Sequence, residues 1–183
     1  ELARQTLTLS SEEAADLAGW LHRHTGGNPF LTVETLHNLR RSSLAPPYRT
    51  HRLEQLPLPD LVQRHLQNRL ERLPPSSRRA LLAASVIGRP FTFRLLETLT
   101  HLDADALLEY LESWLARGLL VEESTGCYNF ATPCLQRAAY NSLSRPRRRQ
   151  SHYRLARALE NTPPVDAGLV AHHYRLAGHP QQA

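Results

Sequence analysis

The 183-residue chain carries a formal net charge of +5 with 41% apolar residues, enough to bury the core of one or two compact units. All 22 basic residues are arginine; without lysine there is no Walker A loop reaching the β- and γ-phosphates, and no Schiff-base or lysine-base chemistry. No run approaches the ~20 apolar residues of a membrane span, no charged-then-apolar leader opens the chain, and Cys127 and Cys134 suit neither a disulfide framework nor a metal site.

Free thiols and a cytoplasmic localisation are the resulting expectation. A chain without methionine that opens on Glu1 is expected to be a segment of a longer protein. The positive charge leans towards acidic partners, although an arginine-rich, lysine-free composition also follows from a GC-rich genome.

Ser10-Ser11-Glu12-Glu13 has the pattern of a capping box, with Ser10 capping a helix and Glu13 reaching back. Ala14, Leu17, Ala18 and Leu21 then share one helical face. Gly26-Gly27 predicts the helix end, Asn28 a new N-cap and Pro29 the first position of a second helix, with Phe30, Leu31, Val33, Leu36 and Leu39 on its apolar face. Ser42 to Pro59 holds four prolines and few periodic apolar residues, and reads as a loop or linker. Its Tyr48, Arg49, His51 and Arg52 are available to a partner, though a solvated connector accounts for them. Helical spacing returns from Asp60 to Leu73, and Pro74-Pro75 ends that segment.

Helices are then predicted over Ser77 to Ile87, about Phe93 to Leu99, and Asp103 to Arg117. Two β-prone runs follow, Leu119–Ser124 and Cys127–Ala131, joined by Thr125-Gly126 in a hairpin pattern. Three helices and a two-stranded wing, in this order, predict a winged-helix domain. Thr132-Pro133 is a plain N-cap for the next helix.

The stretch HRHTGGNPFLTVETLHNL resembles the "tGGNPff…E.l..L" segment of bacterial signal-transduction ATPases with numerous domains, which include large ATP-binding LuxR-type regulators. The likeness continues through RLERLPPSSRRALLAASVIGRPFTFRLLETL, DALLEYLESWLARGLLVEE and YNFATPCLQRAAYNSL. It then runs into RPRRRQSHYRLARALE and LVAHHYRLAGHPQQA, which look like the entry to a helical-repeat array. In that family the first segment closes the ATPase module on its helical lid, with the Gly-x-Pro near the nucleotide base. The resemblance therefore implies Gly27, Asn28 and Pro29 as nucleotide-adjacent. A family histidine two residues after the wing phenylalanine contacts phosphates; here Thr132 holds that place, with a hydroxyl but no imidazole.

The expected architecture is mainly α: a lid hairpin (1–43), a linker (44–59), a winged-helix domain (60–144) and a helical-repeat, TPR-like entry (145–183). The function that the resemblance implies is non-catalytic: a signal-relay segment of an ATP-dependent multidomain regulator, of transcription in the family's manner. Its partners would be the ATPase and output domains of the parent chain, with a protein or small inducer possible. ATP or ADP would belong to the full-length protein, and this segment itself implies no cofactor, metal or membrane contact.

A DNA-binding module is the competing reading. The helix at 103–117 holds four carboxylates and one arginine, and Glu122 and Glu123 sit in the wing, so phosphates would be repelled from the usual face. Arg147, Arg148, Arg149 and Arg154 are the alternative contacts, against a simpler account as the charged start of an exposed helix. The ten histidines show no i, i+4 metal pair, and no motif supports a catalytic centre.

Overall fold

The computed structural model describes residues 10–42, 53, 56–162, 165–179 and 181. Within these the chain is mainly α, with one small antiparallel sheet. Helix α1 (Ser11–Thr25) begins with the full capping box: Ser10 Oγ accepts from Glu13 N, and the Glu13 carboxylate accepts from Ser10 N at 3.1 Å. It ends at Gly26, whose φ of 63° is the left-handed C-cap geometry that glycine adopts at no steric cost. Helix α2 (Pro29–Arg41) follows after Gly26, Gly27 and Asn28, with Asn28 Oδ1 accepting from Leu31 N.

Helices α3 (Asp60–Glu71) and α4 (Pro75–Ala84) are separated by Arg72, Leu73 and Pro74, with Pro75 in the first turn of α4. Helix α4 starts two residues before the expected Ser77, because proline at N1 sacrifices no bond, and ends at Ala84 in a turn rather than at Ile87. Strand β1 (Phe91–Thr92) runs directly into helix α5 (Phe93–Thr100), which Thr92 caps. Helix α6 (Ala104–Ala116) is capped by Asp103, which accepts from Asp105 N and Ala106 N. Its far end is closed by Arg69 of α3, which donates to the carbonyls of Arg117 and Gly118 at 2.6 and 3.1 Å.

Strands β2 (Leu120–Ser124) and β3 (Cys127–Phe130) form the hairpin, with Gly126 at a φ of 74° in its turn. The wing is three-stranded, not two-stranded. Phe91 and Thr92 pair with Tyr128 and Cys127, giving the order β1-β3-β2. A two-residue strand has no periodicity to read, so only the pairing reveals it. The wing carboxylates serve the hairpin: Glu122 accepts from Gly126 N and Glu123 from the Asn129 amide.

Helices α7 (Pro133–Ser142), α8 (Arg145–Glu160) and α9 (Ala167–Ala177) complete the described chain. One core runs from Val62, Leu66 and Leu70 of α3 through Leu81, Leu96, Leu107 and Trp114 to Leu155, Val170 and Tyr174. The side chains of α8 and α9 therefore share a core with those of α3 to α6. Trp114 is fully enclosed and donates its indole N–H to Ser77 Oγ at 2.9 Å. A second, smaller core joins Leu17, Trp20, Leu21, Leu36 and Leu39 to Leu53.

Leu53 lies inside the stretch read as a solvated linker, yet it is 1% exposed, and Leu58 is buried in the main core. Two isolated leucines give no period, but each finds an apolar slot. Tyr48, Arg49, His51 and Arg52 lie outside the described residues.

Candidate functional site

Helix α7 is the element on which the candidate residues converge. Its N-cap, Thr132, accepts from Leu135 N at 3.2 Å, and Pro133 occupies its first turn. A Cβ on Gly26 would stand only 2.6 Å from Thr132 Cγ2. The bare glycine thus lets the α1–α2 corner seat directly against the start of α7, across more than a hundred residues of sequence.

The corner itself is locally determined. Thr25 is buried, donates to Leu21 O at 2.7 Å and bonds Thr32 Oγ1 at 2.9 Å. Gly27, Asn28 and Pro29 face outward, with Gly27 at a φ of 72°. The structure thus brings the corner and Thr132 together, but through Gly26 rather than through the three residues singled out. The Asn28 carbonyl and the Thr132 hydroxyl already cap helices, and no lysine is available for phosphates.

Beside the corner, His24 stacks on Trp20 with ring centroids 4.4 Å apart. Burial, joined by the positive charge of Arg137, holds its imidazole down at about 4. Burial likewise lowers the Arg137 guanidinium from its ordinary value and pushes the neighbouring Cys134 thiol up to about 12. Cys134 is therefore a packed, unreactive thiol. A cleft of about 600 Å³ lies here, with Arg23, Arg89 and Arg137 among its lining residues.

At the other end of α7, a polar chain crosses to the last two helices. The Tyr140 hydroxyl bonds His152 Nε2 at 3.0 Å, and His152 Nδ1 bonds His173 Nδ1 at 3.0 Å. Both rings are 3% exposed and lie stacked at 5.2 Å. Burial, with the charges of His172 and Arg148, holds His152 at about 4; burial, with His152, His172 and Arg89, does the same for His173. Both are neutral at pH 7. Among the described residues, His173 Nε2 is the buried side-chain nitrogen or oxygen left without a hydrogen-bond partner.

The two histidines line a cleft of about 400 Å³ between the turn after α4, helix α7 and helix α9. Arg89, Pro133, Gln136 and Arg137 also line the cleft near His24, so the two hollows are adjacent. This pair of histidines was not singled out in the sequence, where they stand 21 residues apart. Their only signal is that each occupies the apolar face of its helix, next to Leu155 and Val170.

The arginine cluster divides. Arg148 belongs to α7: it donates to the carbonyls of Tyr140 and Asn141 and lies 4.6 Å over the Tyr140 ring. Arg147, Arg149 and Arg154 are exposed. Arg147 lines a hollow with Arg78 and Arg79, and Arg154 lines another with Arg79. Arg149 lies by Gly178 at the end of α9. On α6, Asp105, Glu109 and Glu112 are exposed while Leu107, Leu111 and Trp114 are buried.

Among the described residues no group of three or more His, Cys, Asp or Glu could hold a metal, and no helix is long and apolar enough to cross a membrane. No family model, curated protein or solved structure matches the chain.

Proposed function

We propose that this chain is a non-catalytic relay segment of an ATP-dependent, cytoplasmic multidomain regulator. In this reading it couples the nucleotide or inducer state of neighbouring modules to an output domain, as the resemblance to the signal-transduction ATPases implies. The observation that carries the reading is the placement of α7. One rigid helix, about 15 Å long at 1.5 Å per residue, touches the Gly26 corner at one end and is hydrogen-bonded to the α8–α9 histidines at the other.

In this reading a displacement of the corner shifts Thr132, which Gly26 faces closely, and α7 hands the movement to Tyr140. The polar chain then has to re-form or break, which gives α8 and α9 two distinguishable states. Nucleotide would be held by other parts of the parent protein, with the corner forming a wall beside it.

The test is hydrogen exchange on the 183-residue chain carrying Gly26→Val, with Thr132→Val as a milder companion. The relay reading expects faster exchange in α8 and α9 as well as around the corner. Changes confined to residues 11–42 and the start of α7 would sink it.

A second reading, phosphate contact with DNA, draws on Arg79, which lies between the hollows of Arg147 and Arg154. It predicts binding to random-sequence duplex that weakens steeply with salt. Arg148 plays no part in that surface, because its guanidinium is engaged at the end of α7.

A further inference from the structure

The orphaned nitrogen of His173 has a chemical identity that the chain of hydrogen bonds determines. Two neutral imidazoles bonded Nδ1 to Nδ1 must hold opposite tautomers, one donating and one accepting. If Tyr140 donates to His152 Nε2, then His152 donates through Nδ1, and His173 keeps its proton on Nε2. If Tyr140 accepts, His173 Nε2 is bare. The Arg148 guanidinium over the Tyr140 ring draws charge from the phenol and makes it the better donor. With Tyr140 as the donor, His173 carries an N–H on the nitrogen directed away from His152.

That N–H belongs to a ring that lines the α7–α9 cleft, is 3% exposed, and finds no acceptor among the described residues. A buried donor without a partner is uncommon enough in folded proteins to require a cause. The polar side chains around it supply no carboxylate. Arg89 and Arg137 are cationic, the Gln136 amide donates to Ser85 O, and Ser85 Oγ donates to Leu82 O. Tyr140 and His172 also line it, and Val86, Ile87, Leu169 and Leu176 supply most of its hydrocarbon. Its volume of about 400 Å³ lies in the range of small-molecule sites.

A hollow that combines donors and positive charge with hydrocarbon selects for an acceptor with an apolar body. We propose that this cleft binds a small organic monocarboxylate, with its carboxylate beside Arg89 and the His173 ring N–H and its hydrocarbon against Leu169 and Leu176. Arg137 adds positive potential at the same end. Occupancy would supply the missing acceptor and bridge α7 to α9. The site stands apart from the relay reading, because ligand binding is measurable whether or not the corner communicates with it.

The test follows the imidazole nitrogens of His152 and His173 by NMR while hexanoate is added to the 183-residue chain at neutral pH. Hexanol supplies the body without the charge, and inorganic phosphate the charge without the body. The expected result is a saturable shift of both histidines with hexanoate, much weaker with either control. Arg89→Ala, at an exposed turn, should weaken hexanoate roughly tenfold or more, as expected for loss of a charge-assisted hydrogen bond; Leu169→Ala should weaken it less. Three results would each overturn the proposal: no saturable shift at millimolar hexanoate in a chain with native histidine signals, equal binding of either control, or unchanged affinity in Arg89→Ala.

Discussion

The two ends of helix α7 are built on different principles. At the N-terminal end, the α1–α2 corner is assembled from neighbours in sequence: the left-handed Gly26, the Asn28 cap and the Thr25–Thr32 bond. At the C-terminal end, Tyr140, His152 and His173 come from three helices and depend on one another. The corner can form as soon as its own residues are helical. The histidine chain exists only when three helices are packed together, and its neutral rings make it sensitive to acid. The comparison teaches that one helix can join a contact specified by neighbours in sequence to one assembled from distant helices.

The harshest way to break the comparison is to remove what the ends share. Leu135 is 1% exposed within α7, and Leu135→Ala should cost about 2–5 kcal/mol, measured by chemical denaturation, while loosening both ends. Loss of protection at only one end would show that α7 does not act as one body.

Acid acts at both ends, through His24 beside the corner and through the histidine chain. The folded values of His24, His152 and His173 lie near 4, below the ordinary 6.5 of the unfolded chain. Between those values the unfolded chain binds more protons, so stability falls as the pH drops from about 6.5 towards 4. The slope is at most roughly 1.4 kcal/mol per pH unit for each histidine. His173→Phe should flatten that slope in denaturation curves taken across this window. An unchanged slope would remove the histidine chain from the account.

Gly26→Ala tests the corner. It places a side chain at a φ of 63° and a Cβ 2.6 Å from Thr132, and should cost about 1–3 kcal/mol with no change in the acid slope. Ser10→Ala removes only the helix cap and should cost about 1 kcal/mol, read as a small shift in the denaturation midpoint. Smallest of all should be the effect of a thiol reagent on the native chain. Half-buried Cys127 is modified first, whereas Cys134, with its thiol pushed up to about 12, stays unmodified until the chain unfolds. Peptide mapping after alkylation distinguishes the two.

Much of this molecule was legible because helix ends obey rules that span three or four residues. Ser10 with Glu13, Gly26, Asn28 with Pro29, Thr132 with Pro133 and the hairpin around Gly126 all lie where their local chemistry puts them. The mainly helical character follows from the same patterns. Tertiary structure alone decided the rest. Phe91 and Thr92 become a strand only because Tyr128 and Cys127 offer open backbone bonds beside them. Leu53 is buried because the α1–α2 pair leaves an apolar slot for it. Gly26 meets Thr132, and His152 meets His173, because packed helices bring distant faces within contact distance. A sequence pattern records which face of a helix is apolar; the identity of the residue opposite depends on how whole helices cross, which no local spacing encodes.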